Sequence, residues 1–155
     1  MSTENTGALG IEQSLAADGV YITKTRGFSM RPLFKTHRDA VIIIPPTCPL
    51  RRYDIVLYTY NGEDYILHRI VGFDGEVCLI RGDNTFVTER VPKDKIIGVV
   101  ASFNRKGRRY DMTEPSYKLY ARLWNFIYPI RLLTHKTKCV LAKIKNKILG
   151  RKARQ

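Results

Sequence analysis

Short runs of β-branched and aromatic residues, separated by tight-turn signals, are the feature that most constrains the fold of this chain. Ala40–Ile44 is such a run, closed by two prolines, and Ile55–Tyr60 is the next. The dipeptides Asn61-Gly62 and Asp74-Gly75 separate further apolar runs. Both favour hairpins, because Asn, Asp and Gly tolerate the positive φ that two-residue turns require. The pattern predicts a mostly β protein with a compact antiparallel sheet.

The two ends of the chain differ from this middle part. Residues 1–10 are polar and expected to be mobile, and a short helix is predicted over 11–17. The predicted strands are 20–23, 40–44, 55–60, 65–73, 77–80, 95–103 and 108–111. From Thr113 onward apolar residues recur at helical spacing, and Pro129 is expected to kink or divide the helix. The expected segments are an N-terminal segment (1–18), a β domain (19–112) and a C-terminal amphipathic helical extension (113–155).

Positive charge is concentrated in the helical extension. Eleven of the 27 Lys and Arg residues lie from Tyr117 onward, with none of the 14 Asp and Glu residues. A basic amphipathic helix is typical of contact with an anionic membrane. The residues expected to make this contact are Trp124, Lys143, Lys145 and Lys147. Alternatively, the first apolar residues of this helical extension pack on the β domain and its basic end is solvated. No motif for reading nucleic acid accompanies the charge.

The sequence predicts neither a metal site nor a cofactor. Cys48, Cys78 and Cys139 are odd in number and lack a Cys-x-x-Cys spacing, so we expect them to be reduced and structural. His37 and His135 are interpreted as far apart and near no cysteine, which leaves no ligand set for a metal ion.

Targeting signals are also not predicted. Residues 1–30 include acidic residues and no apolar run long enough for a signal peptide. No apolar run approaches the length of about 18 residues that a spanning helix needs. We therefore expect a cytoplasmic or peripheral membrane location.

A constrained turn at Gly27–Leu33 supplies the first candidate for chemistry. Ser29 lies between Gly27, which tolerates positive φ, and Pro32, which fixes its own φ and restricts Arg31. Such a turn can expose a hydroxyl beside backbone N–H groups. A nucleophile next to an oxyanion hole requires this arrangement.

Two later segments complete a three-part pattern. His68 lies in the β-rich run Leu67–Gly72, and Arg81–Asn84 reads Arg-Gly-Asp-Asn after another apolar run. In this order, the three segments resemble the signal peptidase superfamily, which includes type I signal peptidases and self-cleaving repressor-type peptidases. The resemblance covers roughly residues 19 to 103, about half of the chain. Unlike most signal peptidases, this sequence shows no N-terminal spanning segment.

The resemblance implies a role for each candidate residue. Ser29 corresponds to the nucleophile and His68 to the general base, in the place where the bacterial housekeeping enzymes have lysine. Neutral imidazole accepts a proton near pH 7 without the burial that a lysine would need. Met30 and Pro32 are expected to shape the substrate cleft. The Ser29 N–H is the expected oxyanion donor, and a second donor is not identified.

Two acids are candidates for the group that orients His68. Asp83 is slightly favoured because it belongs to the Arg-Gly-Asp-Asn motif, although an aspartate there also bonds its own turn. Glu89 lies where histidine-type relatives have an aspartate, although it could instead form a solvated pair with Arg90.

The predicted function is that of a serine endopeptidase which cleaves leader or signal-like peptides bound as extended strands. Two alternatives stay open. One is a self-processing peptidase, and the other is a non-catalytic module that binds peptide or membrane.

Overall fold

The computed structural model describes residues 6–60 and 64–152. The elements are α1 (Thr6–Asp18), β1 (Tyr21–Lys24), β2 (Ala40–Ile44), β3 (Ile55–Tyr60), β4 (Asp64–Asp74), β5 (Val77–Arg81), β6 (Glu89–Pro92), β7 (Ile96–Arg105), β8 (Arg108–Asp111), α2 (Pro115–Phe126) and α3 (Tyr128–Lys152), with a single 3-10 turn over Lys93–Lys95. The protein is mostly β, so the predicted fold class is confirmed. All seven predicted strands are present, and β6 is an additional strand. The Asn61-Gly62 turn and residues 1–5 of the predicted mobile segment lie outside the described residues. The prediction for residues 6–10 of that segment is wrong, because they belong to α1, which begins five residues before the helix predicted over 11–17.

All strands pair antiparallel in one sheet that curls into a half-barrel. Its order is β1-β2-β7-β3-β4-β5-β6, and β8 pairs with residues 102–105 at the end of β7. Strand β4 changes partner along its length, because residues 64–69 pair with β3 whereas residues 69–74 pair with β5. As a result, the strand pairings use only one edge of β1 and only one edge of the first half of β4.

Apolar side chains cover both faces of the sheet, in two clusters. The first includes Val41, Ile43, Leu57, Val100 and Phe103, together with Leu15 of α1 and Tyr117 and Ala121 of α2. The second consists of Val56, Tyr58, Ile70, Cys78, Ile80, Val91 and Ile96. Neighbouring residues such as Leu57 and Tyr58 fall into different clusters because successive strand side chains point to opposite faces. Each fully buried aliphatic side chain contributes roughly 1.5–3 kcal/mol.

The chain divides into two compact units, Met1–Ala121 and Arg122–Gln155. The first is larger than the predicted β domain, because Leu15 and Tyr117 contribute apolar side chains to its core. The predicted break in the helical extension falls at Ile127, and Pro129 is the second residue of α3. No helix among the described residues is long and apolar enough to cross a membrane.

Two of the three cysteines differ from the prediction that all are structural. Cys78 is fully buried in the second cluster, but Cys48 and Cys139 are exposed. The prediction that His135 has no cysteine nearby is also wrong. Its Nε2 lies 3.8 Å from the sulfur of Cys139, one helical turn further along α3. No group of three or more possible metal ligands occurs within residues 6–60 and 64–152.

Candidate active site

Ser29 lies in a loop that hydrogen bonds close at both ends. The Thr25 N–H donates to the Asp39 carbonyl at 3.0 Å, and the buried Asp39 carboxylate accepts from the Lys35 N–H at 2.8 Å. Burial alone would raise the pKa of Asp39, but the Arg38 guanidinium, 2.6 Å away, and the Lys35 N–H hold it below its ordinary value. These contacts fix the base of the loop.

The two predicted cleft residues differ in position. Met30 is buried in the first cluster, and its carbonyl accepts the Phe34 N–H at 3.0 Å, whereas Pro32 is exposed. Gly27 has a φ of 77°, which agrees with the conformational freedom predicted for it. Ser29, which lies between Gly27 and Met30 in the loop, is half-buried.

His68 belongs to a hydrogen-bonded group of three side chains, of which His68 and Tyr58 are buried and Glu89 is half-buried. Its Nδ1 lies 3.1 Å from the Tyr58 hydroxyl and 3.3 Å from Glu89 Oε1. Tyr58 donates its hydroxyl proton to Glu89 Oε2 at 2.5 Å, so it has no proton left for Nδ1. We therefore assign the ring proton to Nδ1, which leaves Nε2 as the proton acceptor.

Burial and nearby carboxylates act in opposite directions on the protonation of His68. Burial lowers its pKa below the ordinary 6.5, because a charged imidazolium would lose its hydration. Glu89, and to a smaller extent Asp83, oppose this shift by favouring the charged form. A buried neutral imidazole can accept a proton transiently at Nε2 when a carboxylate lies at Nδ1.

The register of the sheet explains why Glu89 reaches His68. Val56 pairs with His68, and Ile70 pairs with Ile80, which in turn pairs with Glu89. Directly paired residues share a face of the sheet, so His68, two positions before Ile70, lies on the same face as Glu89. Arg90 pairs instead with Asp74, at 2.6 Å.

Asp83, the slightly favoured acid, contacts a different residue. Its carboxylate receives two hydrogen bonds of 2.7 Å from Arg69, whose side chain is fully buried. Arg69 follows His68 in β4 and therefore points to the opposite face. The preference for Asp83 over Glu89 is corrected for this reason: the carboxylate at hydrogen-bonding distance from the imidazole belongs to Glu89.

Helix α2 completes the Arg69 environment. Arg69 Nη1 contacts the Tyr117 hydroxyl at 2.5 Å, and the Tyr120 hydroxyl donates to Asp83 Oδ2 at 3.1 Å. Burial raises the pKa of Tyr117 to about 12 and also raises that of Tyr120. Both phenols are thus neutral, and they satisfy an ion pair that burial would otherwise make costly.

The Arg-Gly-Asp-Asn segment holds the serine loop beside His68. The Asn84 N–H donates to the Ser29 carbonyl at 2.7 Å, and the Asn84 amide donates to the Phe28 carbonyl at 3.3 Å. A Cβ atom placed on Gly82 would lie 2.7 Å from the Ser29 carbonyl oxygen and 3.0 Å from His68 Nε2. Those two atoms are therefore separated by no more than the sum of these distances, and only glycine fits between them.

A cavity of about 720 Å³ opens on this arrangement. Ser29, His68 and Met30 line it, with Leu57 and Leu67 on its apolar side. Residues 21 and 23–24 of β1 and 64–68 of β4 form further parts of its wall. In the sheet, β1 pairs with β2, and this part of β4 pairs with β3.

Ser29 and His68 share this cavity without a direct bond. Within the described part of the chain, no hydrogen bond joins the Ser29 hydroxyl to the imidazole, and the bonds of His68 use Nδ1. Proton transfer requires the hydroxyl to reach Nε2, and such bonds commonly tighten only when substrate is bound.

Sequence reasoning missed Tyr58, Gly82 and Tyr120. Tyr58 lies in β3, where successive side chains point to opposite faces of the sheet. Only the register of β3 against β4 shows that Tyr58 shares a face with His68. Gly82 belongs to the Arg-Gly-Asp-Asn motif, but the sequence does not indicate its close approach to two other segments.

The predicted membrane residues lie in the helical unit. Trp124 is half-buried under the Arg131 guanidinium, 3.9 Å from the ring centroid, whereas Lys143 and Lys145 are exposed. The side chain of Lys147 lies outside the described residues.

No protein-family model matches the chain, and no curated protein matches it.

Proposed function

We propose that the protein is a serine endopeptidase in which Ser29 and His68 act as a dyad oriented by Glu89. More particularly, we propose an enzyme of the signal peptidase type that cuts leader or signal-like peptides. The observation that carries the proposal is the position of Gly82, where an added Cβ would lie 2.7 Å from the Ser29 carbonyl oxygen and 3.0 Å from His68 Nε2. The serine loop and His68, distant in the sequence, therefore lie close together at one cavity.

The reaction begins with proton transfer. His68 Nε2 takes the proton of the Ser29 hydroxyl as the oxygen bonds to the substrate carbonyl carbon. Glu89 favours the imidazolium that forms, and Tyr58 keeps the Glu89 carboxylate in place. The Ser29 N–H is the proposed donor to the oxyanion.

Collapse of the tetrahedral intermediate breaks the peptide bond. The imidazolium returns its proton to the leaving amine, which departs, and the acyl group stays on Ser29. Water then attacks the ester, giving up a proton to His68, and the reverse transfer releases the carboxylic acid and restores the hydroxyl.

The shape of the cavity favours an extended peptide as substrate. The backbone edges of β1 and β4 can pair with a strand laid between them. Met30, Leu57 and Leu67 offer apolar surface to alternate side chains. Similarity to signal peptidases implies small residues before the cut.

Cleavage mapping tests this proposal. The full chain is incubated with a library of leader-like peptides, and the products are identified by mass spectrometry. Ser29→Ala and His68→Ala are expected to fold and to lose cleavage at every site, whereas Ser116→Ala, which removes an exposed hydroxyl, retains it. Equal cleavage by Ser29→Ala and the unaltered chain would refute the assignment.

The same experiment separates the alternatives. A loss of intact mass during incubation without peptide, absent in Ser29→Ala, identifies self-processing. Peptide binding without any cleavage by the unaltered chain identifies a binding module. His68→Lys is not expected to restore activity, because the pKa of the new amine must also be lowered by its surroundings.

A further inference from the structure

Six large apolar side chains are exposed among the described residues of the helical unit, Arg122–Gln155. These residues, called here the apolar stripe, are Leu123, Phe126, Ile130, Leu133, Val140 and Leu141. Each is between 53% and 80% exposed. Transfer of this apolar surface from water to an apolar environment is favourable, so it stabilises the binding of the helix to a partner.

The apolar stripe follows one line along the helical unit. Backbone hydrogen bonds continue through the break between α2 and α3: the Ile127 N–H donates to Leu123 and the Arg131 N–H donates to Ile127, at 3.0 and 3.1 Å. Successive helical residues are separated by about 100° around the axis. Ile130, Leu133, Val140 and Leu141 therefore fall within a sector of about 100°.

Exposed lysines border the stripe on both sides. Lys136 and Lys143 fall on one flank, and Lys138 and Lys145 on the other, each about 90–120° from the centre of the stripe. No acidic residue lies between Arg122 and the end of the sequence. The charge beside the apolar surface is thus entirely positive.

We infer that the helical unit binds the surface of an anionic lipid bilayer, with the apolar stripe in the interface and the flanking lysines at the headgroups. Lysine stems can extend beside an immersed stripe while their ammonium groups stay at the phosphates. Nucleic acid would use the same charge but would leave the stripe in water. Trp124, packed under Arg131, does not belong to the stripe, so its predicted membrane contact is not part of this proposal.

Vesicle flotation with the full chain tests the inference independently of peptidase activity. The probes are vesicles of phosphatidylcholine alone and vesicles with about 30 mol% phosphatidylglycerol, which carry the anionic charge. We expect binding to the anionic vesicles, weakened when salt is raised from about 0.1 M to about 0.5 M. Absence of binding to anionic vesicles at low salt would overturn the inference.

Two variants separate the apolar and charged parts. Leu133→Gln with Leu141→Gln is expected to weaken binding about tenfold or more, because each leucine loses apolar contact without a change in charge. Ala142→Gln, an exposed position away from the stripe, is the matched control and is expected to bind normally.

The charge variant replaces Lys136, Lys138, Lys143 and Lys145 by Gln. Each lysine near an anionic surface strengthens binding about fivefold, so the fourfold variant is expected to lose about 100-fold after screening. Circular dichroism checks that helix content is kept. Binding of each variant to a DNA duplex is measured as well. The inference is refuted if the leucine variant binds vesicles normally and only the lysine variant loses binding, to vesicles and to DNA alike. The surface would then be a general site for polyanions.

Discussion

Replacement of Gly82 by alanine tests whether the Arg-Gly-Asp-Asn segment sets the distance between the serine loop and His68. The added Cβ would lie 2.7 Å from the Ser29 carbonyl oxygen, whereas a carbon and an oxygen rest at about 3.3 Å or more. The carbonyl must therefore move by about 0.6 Å or more, against the 2.7 Å hydrogen bond from Asn84 that holds it. The Cβ also meets His68 Nε2 and the Thr85 methyl group at 3.0 Å.

The displacement should cost more activity than stability. A misplacement of about 1 Å at reacting groups can reduce rate about 100-fold, so we expect kcat/KM of Gly82→Ala to fall about 30- to 100-fold. Overpacking of this kind lowers the free energy of unfolding by about 1–3 kcal/mol. The measurements are peptide cleavage under subsaturating conditions and urea unfolding of the same preparations.

Two other glycines serve as controls. In Gly72→Ala the new Cβ meets Leu79 at 3.5 Å, an ordinary contact, and both activity and stability should be unchanged. In Gly98→Ala it meets the Ile43 methyl group at 2.5 Å, which should destabilise the sheet without touching Ser29 or His68. The reasoning is refuted if folded Gly82→Ala keeps full kcat/KM, or if Gly98→Ala loses as much activity at an equal loss of stability.

Three further predictions concern His68 and the two acids. In Glu89→Gln, the group that raises the pKa of His68 is removed, so the acidic limb of the kcat/KM profile moves to lower pH. Maximal kcat falls about tenfold or more, because the imidazolium loses its partner; an unmoved limb contradicts the role of Glu89. The limb itself lies below about pH 6.5 in the unaltered protein, since burial lowers the pKa of His68 and activity is lost as pH falls through that value. Asp83→Asn leaves the buried Arg69 without its counter-charge and should lower the free energy of unfolding by about 3–5 kcal/mol in urea; a cost below about 1 kcal/mol contradicts a structural ion pair.

The strand pattern was predictable from the sequence, but the face on which each strand residue lies depends on register. A two-residue Asn-Gly turn would pair Tyr60 with Glu63 and would place Tyr58 and His68 on opposite faces. The observed pairing of Tyr60 with Asp64 leaves residues 61–63 between the strands. A shift of one residue reverses every side chain, and so the Tyr58–His68 contact could not be derived from composition and turn signals.

Strand β6 was missed for a related reason. Glu89–Pro92 contains two charged residues and a proline, a composition that disfavours strands in general but is tolerated at a sheet edge. Without that strand, the sequence assigns Glu89 to no face of the sheet, and the motif favours Asp83 as the partner of His68. The helical extension was easier to predict, because a 3.6-residue period and an uninterrupted positive charge are local features.

Two adjacent residues of β4, His68 and Arg69, have different roles at this site: the first in the proposed chemistry and the second in stability. His68 points to the face that carries Tyr58 and Glu89, while Arg69 points to the face covered by α2. The Arg-Gly-Asp-Asn segment lies beside both residues: Gly82 is near the imidazole, and Asp83 binds the guanidinium. The buried ion pair therefore anchors the segment, and the anchored segment holds the Ser29 carbonyl through Asn84. Substitutions on the Arg69 face should act mainly on folding, and those on the His68 face mainly on proton transfer, although one strand carries both residues.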